Sequence, residues 1–386
     1  MKFFHLSDLH IGKQLYHYNL KEDQETVLEE VISYAKAEGP DVVVIAGDIY
    51  DKAIPSAEAV TIFDWFLTKL TQAIPAGSIL IIGGNHDSPQ RLEFAREILG
   101  QYDIHIVGTP PREEKDHVKC VTISDVYGEV DFYLLPFLKP GMVRQVCDGA
   151  VPESYDEGIK KILAREKIDT KRRNVLVSHQ FYTASGKEPK TCDSETISVG
   201  GMDQVDTGAL EPFDYVALGH IHGPQSVGAP HIRYCGTLLK YSVSEWNQEK
   251  SLTMVTLGEK GTAPKIQCLP LHPLRNVRKK IGLLPEIIQE ATQETKDDYV
   301  SVTLQDEVDP YQPKDQLEAV YSHVLEVRVD NQRTRKRLEV FADEVALADP
   351  LTIFGDFYRE IQGQDLSKEE REIMEAVLEQ VKEERE

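Results

Sequence analysis

Short apolar runs alternate with longer amphipathic segments across residues 1–270. The apolar runs are rich in Val, Ile and Leu and seldom alternate with polar residues, which is typical of strands covered on both faces. Between them, apolar positions three and four apart predict helices over Asp23–Lys36 and Ala57–Leu70. The pattern predicts a layered α/β domain. Its predicted strands are Lys2–Leu6, Asp41–Ala46, Ser78–Ile82, Asp131–Leu135, Asn174–Val177 and Tyr215–Leu218.

A second region, His272–Leu347, has a different pattern. Prolines interrupt regular structure around its start, and short apolar segments then alternate with charged ones. We expect a small α+β unit with charged surfaces. Its predicted elements are a helix at Pro285–Thr295, a strand at Tyr299–Leu304, a helix at Pro313–Val320 and a strand at Val324–Val329.

The last part of the chain combines charged and apolar residues in a helical pattern. Ser367 and Glu370 have the S-x-x-E spacing of a helix capping box. Apolar residues follow on one face of the predicted helix. They are Ile373, Met374, Val377, Leu378 and Val381. This face either docks on the chain's own domain or binds a partner protein, and the sequence leaves both interpretations open.

Length and composition limit the class of protein. With 386 residues, of which 41% are hydrophobic, the chain is long enough for two or three folded domains. No run approaches the roughly 18 consecutive apolar residues of a membrane span, so no membrane association is expected. Five scattered cysteines without a C-x-x-C pair argue against a disulfide framework or a zinc ribbon. They favour a reducing, cytoplasmic compartment.

The formal net charge of the chain is −22. This charge argues against a protein that coats nucleic acid through its overall electrostatic field. It is compatible with an enzyme that acts on nucleic acid, because metal ions and local basic loops can hold a phosphate on an acidic body.

Side chains that can bind metal follow five of the predicted strands. Ligands in open α/β folds bind at the carboxyl ends of the strands, so these distant clusters are expected to converge. A lone D-x-H or histidine pair is usually structural, whereas five clusters at strand ends favour a metal centre. The clusters are Asp8-Leu9-His10, Gly47-Asp48-Ile49-Tyr50-Asp51, Gly84-Asn85-His86-Asp87, His179 and Gly219-His220-Ile221-His222.

The donor types fit two divalent metal ions. Imidazole, carboxylate and amide groups suit manganese, iron or zinc better than magnesium alone. Asp48 is central in the order and is expected to bridge the two ions. The other ligands divide into Asp8, His10 and one of His220 and His222 for one ion, and Asn85, His179 and the remaining histidine for the other. The residues alone do not decide which histidine binds which ion.

Two metal ions this close promote in-line displacement at phosphorus by an activated water. His86 adjoins a predicted ligand and is not needed as one. It is therefore a candidate to protonate the leaving oxygen or to bind a phosphate oxygen. Asp51 or Asp87 would orient His86 and keep it cationic, and the sequence does not choose between them.

The motifs D-x-H, G-D-x-x-D, G-N-H-D, H and G-H-x-H resemble the signatures of the calcineurin-like metallophosphoesterases. Longer segments are similar to the SbcD family of bacterial nuclease subunits, and this resemblance spans essentially the whole chain. The segments are Gly84–Phe94, Ala217–Gln225, Tyr241–Glu245 and Phe354–Tyr358, the last followed by Gly363 and Leu366-Ser367.

The resemblance implies an architecture of three parts. Residues 1–270 would form a two-sheet α/β metallophosphoesterase nuclease domain. Residues 271–347 would form a small α+β capping domain that recognises DNA ends. Residues 348–386 would form a C-terminal helical segment that binds the coiled-coil base of an ATPase, the role that the apolar helix face matches.

The resemblance also implies an activity and partners. The expected protein is a manganese-dependent DNA nuclease, with magnesium as the alternative metal, that acts in DNA repair, recombination and replication. It would combine a 3′-to-5′ exonuclease on duplex ends with an endonuclease on single strands and hairpins. Its implied partner is an ABC-type ATPase of the SbcC kind, in a complex that holds a dimer of each chain.

Matching positions carry over the family's site residues. His86 matches the catalytic histidine, with Asp51 as its candidate partner. Near the motifs, Lys13, Tyr16 and Arg91 are candidate DNA contacts. The basic runs Arg275–Lys280 and Arg333–Arg337 are more typical of solvated surfaces. Asp8, His10, Asp48 and His222 match the ligands of the first metal, and Asp48, Asn85, His179 and His220 those of the second.

Two other functions fit parts of the sequence. A phosphatase or cyclic-nucleotide phosphodiesterase would use the same metal core. Ser/Thr protein phosphatases, however, carry Arg-Gly and Glu where this chain has Lys52-Ala53 and Asp87. A non-catalytic scaffold would show eroded ligand positions, and none is eroded here. The sequence therefore favours a nuclease.

Overall fold

The computed structural model describes residues 1–147, 149–195, 203–335 and 350–383, with side chains up to residue 378. The chain divides into two compact units that are each discontinuous in sequence. The first unit comprises Met1–Lys279, Gln293–Ser301 and Tyr321–Leu325, and the second comprises Lys280–Thr292, Val302–Val320 and Glu326–Glu386. Three predicted features lie outside the described residues: the border between residues 347 and 348, the end of the basic run at Lys336 and Arg337, and the side chain of Val381.

The regular structure of the first unit consists mainly of short strands and α-helices. The strands are β1 (Lys2–Leu6), β2 (Gln14–Leu15), β3 (Tyr18–Asn19), β4 (Val42–Ala46), β5 (Ser78–Ile82), β6 (Ile104–Val107), β7 (Lys119–Asp125), β8 (Gly128–Leu135), β9 (Arg173–His179), β10 (Phe181–Thr183), β11 (Gln204–Asp206), β12 (Tyr215–Gly219), β13 (Gln225–Val227), β14 (Ala229–Tyr234), β15 (Ser251–Thr256) and β16 (Lys265–Pro270). The helices are α1 (Lys21–Glu38), α2 (Ala57–Ala73), α3 (Pro89–Leu92), α4 (Arg96–Leu99) and α5 (Tyr155–Arg165).

Two six-stranded sheets form the frame of this unit. Their strand orders are β16-β15-β1-β4-β5-β6 and β13-β14-β12-β9-β8-β7. Strands β1, β4, β5 and β6 run parallel to one another in the first sheet, as do β8, β9, β12 and β14 in the second. Because parallel strands end at the same edge, the loops that follow β1, β4 and β5 are neighbours, and so are those that follow β9 and β12.

The two sheets pack face to face. Phe3 and Val44 of the first sheet share one buried apolar cluster with Phe132 and Val177 of the second. The rings of Phe3 and Phe132 meet edge to face at 5.7 Å. The outer face of the first sheet packs on α1 and α2, and that of the second on α5. This layering confirms the predicted α/β class and explains why the central strands are apolar on both faces.

The predicted bounds agree best with the structure for the buried strands. The first and last residues are the same in both for Lys2–Leu6, Ser78–Ile82 and Tyr299–Leu304. The helix predicted over Pro285–Thr295 ends earlier, at Gln289. Thr292 and Thr295 follow it, and such residues favour turns over continued helix because their hydroxyls compete for backbone hydrogen bonds.

The remaining elements follow residue 276. Strands β17 (Val277–Gly282), β18 (Tyr299–Leu304) and β19 (His323–Val329) form a three-stranded sheet in that order. The second unit contains the helices α6 (Leu284–Gln289), α7 (Pro313–Glu318), α8 (Pro350–Gln362) and α9 (Lys368–Glu383). The predicted capping box begins α9: the N–H of Ser367 donates to Glu370 Oε2 at 2.8 Å, and the N–H of Glu370 donates to Ser367 Oγ at 3.3 Å.

Helices α8 and α9 leave large apolar side chains in solvent. In α8 they recur at every fourth residue, and in α9 they are four residues apart. They are Ile353, Phe357, Ile361, Ile373 and Val377. Of the helices that the structure describes, none has the length and apolar character required to cross a membrane.

Candidate metal centre

The ends of five strands bring the seven predicted ligands together. Asp8 and His10 follow β1, Asp48 follows β4, and Asn85 follows β5 in the first sheet. His179 ends β9, and His220 and His222 follow β12 in the second sheet. All seven side chains are buried except that of Asn85, which is half-buried. They form two adjoining groups.

His10 and His222 form the first group together with Asp8. The Nε2 atoms of the two imidazoles face each other at 3.2 Å. One ligand atom from each of the three residues lies within 4.8 Å of the others. Two ring nitrogens aimed at one point beside a buried carboxylate are typical of a metal site.

Asn85, His179 and His220 form the second group. Asn85 Oδ1 lies 3.0 Å from His179 Nε2 and 3.0 Å from His220 Nδ1. His179 Nδ1 is 2.8 Å from the carbonyl oxygen of Ala46, to which it donates. This hydrogen bond fixes the ring so that Nε2 faces the group. The structure thus places His222 beside His10 and His220 beside His179, which is the division that the family resemblance implied.

Asp48 lies between the two groups. Its Oδ2 is 3.7 Å from His10 Nε2 and 3.4 Å from His179 Nε2. Its Oδ1 accepts a hydrogen bond of 2.9 Å from the backbone N–H of His86. One oxygen is therefore held by the backbone, and the other faces both groups, as a bridging carboxylate requires.

The backbone is strained at four of these positions. Asp8, His10, Asp48 and His220 have φ angles of 52°, 43°, 52° and 103°. Positive φ is uncommon outside glycine and costs on the order of 1–3 kcal/mol per residue. Backbone hydrogen bonds hold these turns in place. The N–H of Asp8 donates to the carbonyl oxygen of Gly47 at 2.9 Å, and the N–H of His10 donates to the carbonyl oxygen of Asp48 at 3.0 Å. Strain that clusters in this way is characteristic of functional sites.

Two glycines make room for the ligands. A Cβ on Gly84 would lie 2.2 Å from Asp48 Oδ1, and one on Gly47 would lie 2.3 Å from His179 Nδ1. Gly47 also has a φ of 90°. Glycine therefore precedes Asp48 and Asn85 for a steric reason, because a side chain at either glycine position would displace a predicted ligand.

The pKa values of the two buried carboxyl groups, Asp8 and Asp48, shift in opposite directions. Burial raises the pKa of Asp8 above its ordinary value. Burial acts in the same direction on Asp48, but His179 and His10 outweigh it and hold the pKa of Asp48 below its ordinary value. Burial lowers the pKa of His179, but Asp48 and Asp8 outweigh it and raise that pKa to about 9. The two carboxylates thus draw positive charge into the site.

These features fit bound divalent cations. Among the described residues, the ion-pair partners of Asp48 are His10 and His179, not lysine or arginine. Buried carboxylates without a permanent cation are costly unless a metal balances them. The donors are carboxylate, imidazole and amide groups without a thiolate, which suits manganese, iron, zinc or magnesium. The two groups around Asp48 provide places for two ions.

His86 lies at the edge of this cluster and is half-buried. Its ring meets that of His10 edge to face at 4.8 Å. Its Nδ1 is 2.8 Å from the backbone carbonyl oxygen of Asp51 and donates to it. The carboxylate of Asp51 instead accepts from Lys13 Nζ at 2.8 Å and lies 3.8 Å from His10 Nδ1. Asp51 therefore orients His86 through its backbone, not through a charged side chain as the sequence suggested.

Asp87, the other candidate partner of His86, has a different role. Its carboxylate accepts backbone N–H groups of Gly84 at 2.9 Å and of Ile49 and Tyr50 at 3.1 Å. Burial, reinforced by Asp48, raises the pKa of Asp87 to about 6. Asp87 thus ties the loop after β4 to the loop after β5, because its oxygens are taken up by three amides.

The predicted DNA contacts differ in their surroundings. Lys13 is largely enclosed: its ammonium pairs with Asp51 and lies 5.7 Å from the centre of the Tyr241 ring. Tyr16 is 49% exposed and has a φ of 56°. Arg91 is exposed on α3, directly after the loop that carries His86. Tyr16 and Arg91 are thus reachable from solvent, and Lys13 is engaged within the protein.

The sequence analysis did not identify the residues that hydrogen-bond to the backbone around His10. The side-chain amide of Gln24 donates to the carbonyl oxygen of His10 at 2.8 Å. The hydroxyl of Tyr241 donates to the carbonyl oxygen of Leu9, and its ring lies 5.5 Å from that of His10. Tyr241 begins one of the segments that carried the family resemblance, but its residue type gives no sign of this role.

Comparisons with known proteins identify the families that this chain matches. Residues 1–224 match the model of the calcineurin-like phosphoesterase family. Residues 270–362 match a family described as the type 5 capsule protein repressor C-terminal domain, a model labelled SbcD_C. The first match ends two residues after His222 and so includes every predicted ligand.

One relative covers nearly the whole chain. The SbcD subunit of the nuclease SbcCD from Staphylococcus saprophyticus is 31% identical over 391 aligned positions, and the match covers 98% of this chain and 99% of that protein. Among solved structures, GAP50 of Plasmodium has a TM-score of 0.42 and 11% identity over 85% of this chain and 96% of its own. A dimetal phosphatase from Danio rerio has a TM-score of 0.38 and 12% identity over 70% and 96%. These two structural likenesses are too distant to support an argument.

The sequence matches show that the chain belongs to the calcineurin-like phosphoesterases and, within them, to the SbcD family of nuclease subunits.

Proposed function

We propose that this protein is a DNA nuclease that hydrolyses phosphodiester bonds with two divalent metal ions. The observation that carries the proposal is the position of Asp48 Oδ2, between His10 Nε2 at 3.7 Å and His179 Nε2 at 3.4 Å. A carboxylate oxygen shared between two groups of nitrogen and oxygen donors fits a two-metal hydrolase.

The ligands would be Asp8, His10, Asp48 and His222 for one ion, and Asp48, Asn85, His179 and His220 for the other. Bound there, two divalent ions supply Lewis acidity that lowers the pKa of a water molecule and offsets charge at phosphorus. The protein prepares the site beforehand, because the His86 N–H holds Asp48 Oδ1 and the Ala46 carbonyl holds His179 Nδ1. Such pre-organisation removes the need to rearrange dipoles during the reaction.

His86 is the proposed proton donor to the leaving oxygen. With Nδ1 donating to the Asp51 carbonyl, Nε2 is the ring nitrogen that remains to exchange a proton with substrate. His86 is also more exposed than six of the seven ligands, so a nucleic-acid strand can reach it. Asp51 supports this role by orienting the ring.

Manganese is the proposed metal, with magnesium as the alternative. A ligand set rich in imidazole suits manganese better than magnesium, which prefers oxygen donors and retained waters. The proposed substrates are duplex ends, cut 3′ to 5′, and single strands and hairpins, cut internally. These follow from the SbcD family, as does a cytoplasmic role in DNA repair, recombination and replication.

The proposed partner is an SbcC-like ABC-type ATPase. The Staphylococcus saprophyticus relative is named as one subunit of a nuclease, SbcCD. The exposed apolar residues of α8 and α9 fit the expectation that residues 348–386 bind the coiled-coil base of that ATPase. Residues 271–347 are the proposed capping domain for DNA ends.

A homodimer within a two-plus-two complex is also proposed. In the first unit, three large apolar side chains are exposed within nine residues of each other: Phe94 is 81%, Ile98 62% and Tyr102 66% exposed. Clustered exposed apolar residues are typical of protein interfaces. A second copy of this chain is the occupant that the family resemblance favours.

The test is cleavage of an end-labelled DNA hairpin and a linear duplex with manganese, magnesium or EDTA. We expect manganese-dependent cutting by the wild type and none by Asp48→Ala. Asp64→Ala, which removes an exposed carboxylate on α2, is the matched control and should cut normally. DNA cutting that survives Asp48→Ala would contradict the proposed site.

A parallel assay separates the alternative function. Para-nitrophenyl phosphate reports phosphatase activity, and bis-para-nitrophenyl phosphate reports small-diester hydrolysis. Hydrolysis of either without DNA cutting, even with the ATPase subunit added, would favour a phosphatase or cyclic-nucleotide phosphodiesterase over the nuclease.

A further inference from the structure

Three polar side chains form a hydrogen-bonded series on the Nδ1 side of His222. Ser194 Oγ is 2.7 Å from His222 Nδ1, and the same hydroxyl donates to Glu245 Oε1 at 2.7 Å. The other carboxylate oxygen, Oε2, accepts from Lys250 Nζ at 2.6 Å. Glu245 is fully buried and Lys250 is 6% exposed. These three residues come from two distant parts of the sequence and meet on the side of the imidazole that faces away from His10.

The direction of these hydrogen bonds determines which tautomer the neutral imidazole of His222 adopts. A carboxylate paired with an ammonium only accepts, so the single hydroxyl hydrogen of Ser194 points to Glu245. The Ser194 oxygen must then accept from His222, which places the hydrogen of the imidazole on Nδ1. Nε2 is left with a lone pair, and that lone pair faces His10 Nε2 across 3.2 Å.

Lys250 also fixes the backbone of His222. Its ammonium donates to the carbonyl oxygen of His222 at 3.1 Å and to Thr237 Oγ1 at 2.7 Å. The backbone N–H of His222 donates to Glu195 Oε1 at 2.6 Å. The ring and both peptide groups of this residue are therefore held, so its position depends on the surrounding network.

We propose that Ser194 and Glu245 are positioning residues that hold His222 in the tautomer and orientation needed to bind a divalent metal ion through Nε2. This inference rests on the proposed function, since His222 is a proposed ligand there. Hydrogen-bond partners of metal-binding histidines set ring orientation and basicity, and their loss typically weakens metal affinity 10–100-fold.

A separate metal site is a less suitable interpretation of the same residues. Cys192, His222 and Glu245 offer ligand atoms within 4.8 Å of one another. Both oxygens of Glu245 are, however, already occupied by Ser194 and Lys250. Burial, reinforced by Glu245, raises the pKa of the Cys192 thiol to about 12, so a thiolate is disfavoured. The network therefore serves His222 and not a third ion.

The test measures manganese binding to the full-length apo protein by electron paramagnetic resonance of free Mn²⁺. We expect Ser194→Ala to weaken one of two sites by about 10–100-fold and to leave the other unchanged. Ser194→Thr keeps a hydroxyl and should restore the affinity. Ser242→Ala is the matched control, because Ser242 donates to the same Glu245 oxygen at 3.0 Å, while its other side-chain partner is Ser244 at 2.8 Å.

Thermal unfolding of each apo variant shows whether the fold is intact. Ser194→Ala protein that melts like the wild type and loses affinity at one site supports the inference. Equal affinities in Ser194→Ala and the wild type would overturn it, as would an equal loss in Ser242→Ala. Wild-type protein that binds two manganese ions but cuts no DNA, even with the ATPase subunit added, would leave this inference standing and refute the proposed function. Wild-type protein that binds no manganese would refute both.

Discussion

The backbone N–H of His86 donates a hydrogen bond of 2.9 Å to Oδ1 of Asp48. This contact joins the proposed proton donor to the proposed bridging ligand through the main chain. Because it does not involve the imidazole, the side chain of His86 can be removed without releasing Asp48. Catalysis and metal binding are therefore separable at this residue.

His86→Ala should keep both metal ions and lose most turnover. General acid–base groups contribute about 10²–10⁴-fold to rate, so a drop in kcat of that size is expected. Metal stoichiometry by elemental analysis, together with hairpin cleavage, checks this. If stoichiometry fell with activity, His86 would be a ligand. Asp48→Ala, in contrast, should lose both metal and activity.

Gly84→Ala should impair metal binding although it adds a single methyl group. The new Cβ would lie 2.2 Å from Asp48 Oδ1, so the carboxylate has to move. Gly141→Ala is the matched control, because a Cβ there meets nothing within 4 Å. Manganese titration of both variants is the measurement. Wild-type affinity in Gly84→Ala would show that the position of Asp48 is not critical.

The effect of Asp125→Asn on stability should depend on pH. Two N–H groups of Arg173 hydrogen-bond to Asp125, and this pairing, opposed by burial, holds the pKa of Asp125 well below its ordinary value. A lowered folded-state pKa stabilises the protein above the unfolded pKa of about 3.9, and the contribution is lost as the pH falls. We expect about 1–3 kcal/mol of destabilisation at pH 7, which shrinks below about pH 4.

Urea unfolding at several pH values provides this measurement. Glu129→Gln is the control, since the exposed Glu129 pairs with Arg172 at the surface, and such pairs contribute little. A difference between Asp125→Asn and the wild type that stayed constant from pH 7 to pH 3 would show that the charge of Asp125 is not responsible.

Charges on the apolar residues of α8 should block the ATPase partner. Phe357 is 59% and Ile361 65% exposed, so Phe357→Asp with Ile361→Asp should leave the unit folded. The expected result is loss of co-purification with the ATPase subunit while small-diester hydrolysis persists. Thr352→Asp places the same charge on an exposed polar position of α8 and should bind normally. Retained co-purification by the double variant would refute this contact.

Ile98→Glu should convert a dimer to a monomer, because a charge would be buried in an apolar interface. Light scattering coupled to size-exclusion chromatography measures the mass. Val126→Glu, at a residue that is 91% exposed elsewhere in the first unit, is the control and should not change the mass. A dimer that tolerates Ile98→Glu would place the interface on another surface.

The strands and the set of chemical groups were predictable because both are local in sequence. Buried parallel strands need continuous apolar runs, which Val42–Ala46 and Ser78–Ile82 show. The predicted ligands lie at the strand ends, where the sheet edge gathers loops from distant parts of the chain. The α/β class and the family assignment from these motifs were confirmed.

Other features were decided only by tertiary structure. Residue types and spacing alone could not assign His220 and His222 to their groups, because both lie in one loop; only the family resemblance implied the assignment. The fold turns His220 towards Asn85 and His222 towards His10. Nor could the sequence show that Asp51 orients His86 through a carbonyl oxygen, since a backbone contact leaves no mark on residue type.

The same reason applies to the residues behind the ligands. Ser194 and Glu245 are 51 residues apart and meet only because the loops that carry them pack against the turn after β12. Sequence by itself determined the buried strands that carry the ligands and the groups that can bind metal, since both depend on residue type and local spacing. Tertiary structure determined which groups face each other, since hydrogen bonds of about 3 Å depend on how distant loops pack together.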